Sequence, residues 1–138
     1  MKSIFDGTNF SQLKYLSIKP YVNEKFCEKL TNHFFPNLER FHISSDRLNE
    51  ENLRNLIKNA PKLRSIQLER PILEISNQSL YEIFKNSNIL VIFGINGSKD
   101  DKQSSFEEFL IETDLFRKYH KMKKNFEKWC DNNPEYGS

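Results

Sequence analysis

Leu38-Glu39-Arg40-Phe41-His42-Ile43 and Leu63-Arg64-Ser65-Ile66-Gln67-Leu68 are two copies of one phrase, apolar at its first, fourth and sixth positions. The phrase occurs again upstream as Leu13-x-x-Leu16-x-Ile18 and downstream as Leu90-x-x-Phe93-x-Ile95. Its first positions, 13, 38, 63 and 90, are spaced by 25, 25 and 27 residues. A period of this size marks a repeat architecture. In such folds one supersecondary unit cannot bury its apolar face alone, and neighbouring units stack to do so.

Each of the first three phrases is followed by a helical signal. Asn23, Asn49 and Ser76 stand where an N-cap is needed, because short polar side chains accept from the unsatisfied N–H groups of a first helical turn. Glu50 and Glu51 complement the positive end of the second helix. An apolar residue before each cap meets another five positions later: Val22 and Cys27, Leu48 and Leu53, Ile75 and Leu80. That spacing is the hydrophobic staple. Phe26, Cys27, Leu30 and Phe34 mark the inward stripe of the first helix; Leu53, Leu56 and Ile57 mark that of the second. Pro20, Pro36 and Pro61 close elements. Agreement of strand spacing, cap and staple in three units is stronger than any count of leucines.

The end of the chain has another character. Val91 and Ile92 are apolar where the earlier strands carry polar residues, and Gly94 and Gly97 flank a turn before the charged loop 98–103. Ser104 with Glu107, or Ser105 with Glu108, offers a capping box. A helical stripe then runs through Phe106, Phe109, Leu110, Thr113, Phe116, Tyr119, Met122, Phe126 and Trp129, as one helix or as two broken near Thr113 to Leu115.

Composition bounds the rest. A chain of 138 residues is one domain's worth. A net charge of +2, from 21 basic and 19 acidic residues, forces neither a nucleic-acid nor an anionic-membrane partner. No apolar run approaches the ~18 residues of a membrane span. The first ten residues read neither as a signal peptide nor as an Arg-rich presequence, so the expected location is cytoplasmic or nuclear, or organellar if a presequence has been removed. Cys27 and Cys130 are far apart and outside any C-x-x-C pair, which predicts free thiols in a reducing compartment.

With its phrase, its helical second halves (Asn49 to Asn59, Ser76 to Asn86) and its period, the stretch from Leu13 to about Asn96 resembles the leucine-rich-repeat superfamily, in its ribonuclease-inhibitor-like and F-box-associated subtypes. The position three residues after the phrase holds Tyr21, Asp46 and Pro71 rather than the Cys or Asn of those repeats, and no F-box is evident. The resemblance implies an α/β right-handed solenoid with about four parallel strands on a concave face and helices on the convex face. The corresponding division is an N-terminal edge or partial cap at 1–12, units at 13–37, 38–62 and 63–89, and a last strand at 90–97. A C-terminal helical cap follows at 104–130, then a flexible tail at 131–138.

Such a fold binds through its concave strands. The outward positions there are Lys14, Tyr15, Ser17, Lys19; Glu39, Arg40, His42, Ser44; Arg64, Ser65, Gln67, Glu69; and Val91, Ile92, Gly94, Asn96. The expected partner-binding residues among them are Tyr15, Ser17, Arg40, His42, Arg64, Gln67, Glu69 and Ile92. Arg40 beside Tyr15 is the kind of pair that anchors protein interfaces. The expected partner is another protein, with the chain an adaptor or a subunit wedged in a larger complex. The basic run Arg117, Lys118, Lys121, Lys123, Lys124, Lys128 follows six acidic residues from Asp100 to Asp114. Acid first and base last is what helix-dipole complementarity produces by itself, so nucleic acid is an alternative rather than the leading reading. His33, His42 and His120 lack a second ligand at metal spacing. Residues 94–98 lack the Lys and helix junction of a phosphate loop. No catalytic residue, metal or cofactor is expected.

Overall fold

The computed structural model describes residues 10–18, 22–43, 47–68, 75–93 and 101–134. They form an α/β fold with four strands and five helices among them: β1 (Tyr15–Ile18), α1 (Glu24–Thr31), β2 (Arg40–Ile43), α2 (Glu50–Asn59), β3 (Ser65–Leu68), α3 (Asn77–Ser87), β4 (Leu90–Phe93), α4 (Asp101–Glu112) and α5 (Phe116–Asn132). The strands make one parallel sheet in the order β1-β2-β3-β4. Parallel neighbours need a crossover, and α1, α2 and α3 supply it in turn.

The pairing register is uniform. Tyr15, Arg40, Ser65 and Leu90 form one row across the sheet, and Leu16, Phe41, Ile66 and Val91 the next. Each step between strands is therefore 25 residues, including the last. Leu90 does not take the place of Leu63, as matching apolar letters suggests; Asn88 does. It sits at the C-cap of α3 with φ 57°, in the left-handed region that Asn tolerates better than most residues. The two-residue correction moves Val91 from the binding face into the core, where it is fully buried, and moves Leu90 onto the opposite face. Pairing decides register here, and the apolar Leu90 is accommodated because α5 covers it.

Three caps fall where the sequence puts them. Asn23, Asn49 and Ser76 each accept from the backbone N–H three residues on. In α2 the cap is reciprocal: the Asn52 side chain returns a bond to the Asn49 N–H at 3.1 Å. The staple residues Cys27, Leu48, Leu53, Ile75 and Leu80 are all inaccessible. They join Phe41, Ile43, Ile66, Leu68 and Val91 in one apolar core between the sheet and α1 to α3. Each such side chain contributes roughly 1.5–3 kcal/mol. One stripe residue departs from expectation: Phe34 is 61% exposed and its neighbour Phe35 is buried in its place. Helix α1 stops at Thr31, so the helical spacing that singled out Phe34 no longer applies. Phe35 packs instead against Phe10, ring centroids 4.9 Å apart.

Polar side chains also tie unit to unit. The Asn59 amide donates to the Thr31 carbonyl at 3.0 Å, and the Phe35 N–H to the Asn59 carbonyl at 2.9 Å. Lys62 donates to the Asn37 side chain at 3.0 Å, and Asn37 in turn donates to the Ser11 carbonyl.

The C-terminal segment is two helices. Ser104 and Ser105 lie inside α4, not at its start, so neither is its cap. At its other end the Leu115 N–H reaches the Leu110 carbonyl at 2.8 Å and the Asp114 N–H the Ile111 carbonyl at 3.3 Å. This is the Schellman pattern, with Asp114 at φ 61° in the position glycine usually takes. Helix α4 packs along α3, with Phe109 stacked on Tyr81 at 5.7 Å and Phe106 against Phe93 of β4 at 5.2 Å. Helix α5 continues to Asn132, into the segment expected to be tail, and takes a different course.

Candidate functional site: the open face and the helix that crosses it

The second face of the sheet carries two rows: Tyr15, Arg40, Ser65, Leu90 and Ser17, His42, Gln67, Ile92. It was the expected binding surface, and part of it is occupied by the chain itself. Helix α5 starts at the β4 edge, where the buried Tyr119 hydroxyl donates to the Val91 carbonyl at 2.7 Å. In a parallel strand alternate residues bond to opposite sides. The Leu90 N–H faces β3, bonding to the Arg64 carbonyl, so Val91 faces the edge that Tyr119 seals. From there Met122 lies near Leu90, Phe126 and Trp129 lie over Arg40 of β2, and Asn133 lies beside Lys14 and Tyr15. Tyr119 to Asn133 spans about 21 Å of helix, enough to cross four strands about 4.8 Å apart.

Arg40 is the centre of this contact. Its guanidinium carbon stands 3.6 Å from the Trp129 ring centroid and 4.8 Å from that of Phe126, and its Nη1 donates to the Ser65 hydroxyl at 3.0 Å. Burial and the nearby positive charge of Arg64 push it below the ordinary arginine value. Cys130, on the same helix face, has its thiol pushed up by burial, with Asp131 and Glu127 adding to the effect and Arg40 opposing it. Arg64 meets Glu39 on the neighbouring unit at 3.6 Å.

The other row remains partly accessible. The Tyr15 hydroxyl lies 3.2 Å and the Ser17 hydroxyl 3.4 Å from His42 Nδ1. One ring nitrogen is thus shared between two hydroxyls, and the Tyr15 contact is the shorter. Gln67 is opposite His42 in the next strand, and Ile92 opposite Gln67. Ile92 is on the expected face but only 7% exposed. The structure thus brings together Tyr15, Ser17 and His42, sets Gln67 beside them, and holds Arg40 under α5. Lys19, Ser44, Glu69, Gly94 and Asn96 lie outside the described residues, as does the loop 94–98.

Sequence reasoning missed Trp129 and Phe126 as parts of this surface. The helical stripe that contains Trp129 and Phe126 was legible, but its destination was not, since an amphipathic helix does not state which apolar surface it meets. The dipole account of the basic run also fails. Arg117 and Lys118 stand in the first turn of α5, beside the positive helix end, and its last turn holds no basic residue. With Glu107, Glu108 and Glu112 on α4 and the basic run on α5, the macrodipole of a single helix does not account for the order of charges.

No protein-family model matches the chain, and comparisons with curated proteins and with solved structures find no match either. Among the described residues no helix is long and apolar enough to cross a membrane, and no group of three or more His, Cys, Asp or Glu is placed to hold a metal ion.

Proposed function

We propose that this chain is a non-catalytic protein-recognition module of the leucine-rich-repeat type, a short βα solenoid acting as adaptor or assembly subunit. The observation that carries the reading is the row Ser17, His42, Gln67: one polar side chain per strand, in register, with His42 Nδ1 within hydrogen-bond reach of the Tyr15 hydroxyl. Side chains ordered before binding lose little entropy on binding, which favours recognition by a rigid surface. The partner's contact surface is this row together with the adjoining edge of α5. Wild type and a His42→Ala/Gln67→Glu double variant, compared in affinity capture from source-cell extract, test the proposal. A variant with unchanged thermal unfolding should lose a partner that wild type retains. Retention of every partner by a folded variant would move the interface elsewhere.

Two other readings rest on observations of their own. Among the described residues Phe34 and Ile111 are the exposed large apolar side chains, 61% and 63% accessible, and Ile111 on α4 suits a subunit bound through its helices. Arg117, Lys121, Lys124 and Lys128 recur at three- and four-residue steps and are all exposed. They form a basic ridge opposite the apolar stripe of α5 and suit nucleic acid. Affinity that falls steeply with salt would favour that second reading.

A further inference from the structure

Between α5 and the entrances to β3 and β4 lies a cleft of about 510 Å³. Its volume is in the range of small-molecule sites, ~300–1,000 Å³. Its two sides differ in chemistry. Leu90, Met122, Phe126 and Trp129 give it an apolar and aromatic wall, while Arg40, Lys62 and Arg64 give it three positive charges and no lining residue is acidic. Glu39, outside the lining, stands 3.6 Å from Arg64.

We infer that this cleft binds a small organic anion, a phosphate ester with a planar apolar body. The anionic head is held by Arg64 and Lys62 at the mouth and by Arg40 deeper in, and the body lies along Phe126 and Met122. Guanidinium groups suit a phosphate because their N–H donors match its oxygens in pairs. One Arg40 Nη1 N–H already donates to the Ser65 hydroxyl at 3.0 Å, which orients the guanidinium. The positive charge of Arg64 acts on a partly desolvated Arg40, a repulsion that a bound anion relieves. Lys62 is steadied by Asn37 at 3.0 Å. The site lies at the strand entrances, away from Gln67, and does not depend on the protein-recognition reading.

Trp129 is the sole tryptophan of the chain and stands in the cleft, so its emission reports directly on occupancy. The experiment titrates the full chain at constant ionic strength with phenyl phosphate, inorganic phosphate and phenol, reading Trp129 emission and, independently, calorimetric heat. Phenyl phosphate should bind saturably, inorganic phosphate more weakly, and phenol not at all. Arg64→Glu should weaken phenyl phosphate at least roughly tenfold, the effect of removing a charge-assisted bond and placing a negative charge there. Arg54→Glu, on the exposed side of α2, changes the net charge identically and should leave binding unaltered. Absence of saturable binding in both readouts would overturn the inference. So would equal binding of phenol, or equal weakening by the two charge reversals.

Discussion

The two faces of the sheet are built on different rules. On the face toward α1 to α3, every strand contributes the same kind of side chain, and Phe41, Ile66 and Val91 repeat one position without exposure. On the other face the composition changes from strand to strand: Tyr15 and Ser17 on β1 give way to Leu90 and Ile92 on β4. The first face is held by one apolar core between the parallel sheet and α1 to α3, so its stability is shared among neighbouring strands and helices. The second is held by one helix laid across it, through a hydrogen bond at one end and a cation–aromatic contact farther along. A uniform face is therefore a structural commitment, and a graded face is a place where one element attaches and leaves room beside it.

The comparison breaks most completely at Leu53. Leu53→Asp places an unpaired charge in the stack between units, at a cost that reaches much of the roughly 5–15 kcal/mol of a typical domain. Circular dichroism should show no cooperative thermal transition; a folded, cooperative variant would contradict the shared stack.

A smaller effect is expected at the helix-bound edge. Tyr119→Phe leaves the Val91 carbonyl without its donor and should cost about 1–3 kcal/mol. Burial raises the Tyr119 phenol above the ordinary tyrosine range. A raised folded value means that stability is fully present below the unfolded value near 10 and is lost progressively as pH rises beyond it. Wild type should thus show an alkaline loss of stability in chemical denaturation that Tyr119→Phe reduces. Equal alkaline profiles would mean that the phenol is not the group responsible.

Trp129→Ala separates the faces. It removes a half-buried aromatic contact with Arg40, worth about 0.5–2 kcal/mol. Amide exchange should accelerate in α5 while β2 and β3 stay protected. Uniform acceleration throughout the chain would show that the faces are one cooperative unit. The smallest effect should come at Asp114. Glycine adopts φ 61° without the steric penalty of a side chain, so Asp114→Gly should raise the unfolding free energy by up to about 1 kcal/mol. A loss of stability would argue against the left-handed geometry there.

What was legible in the sequence follows the same division. The unit-to-unit features repeat, so Asn23, Asn49, Ser76 and their staple partners could each be checked against two other copies. The fourth strand was misread because Leu90, Phe93 and Ile95 satisfy the phrase by letter, whereas hydrogen bonding keeps the 25-residue step and sets Leu90 opposite Ser65. The break between α4 and α5 was marked only as a possibility, because Asp114 replaces the glycine that would have announced it. The outward strand positions of β1 to β3 were assigned correctly, but those of β4 and the helix that covers the face were not. Nothing in the spacing of Met122, Phe126 and Trp129 distinguishes a helix laid on the sheet from one packed at its end.

The contact between Trp129 and Arg40 has a kinetic consequence. Every strand pair joins residues 25 positions apart, whereas this contact joins opposite parts of the chain. The entropy of closing a loop grows with its length, so pairing of adjacent units is entropically favoured over docking of α5. The sheet supplies the surface before the helix can use it. Loop-closure entropy thus favours pairing of neighbouring strands over closure of the Arg40–Trp129 contact, and amide exchange should find the end of α5 opening at lower free energy than β2 and β3.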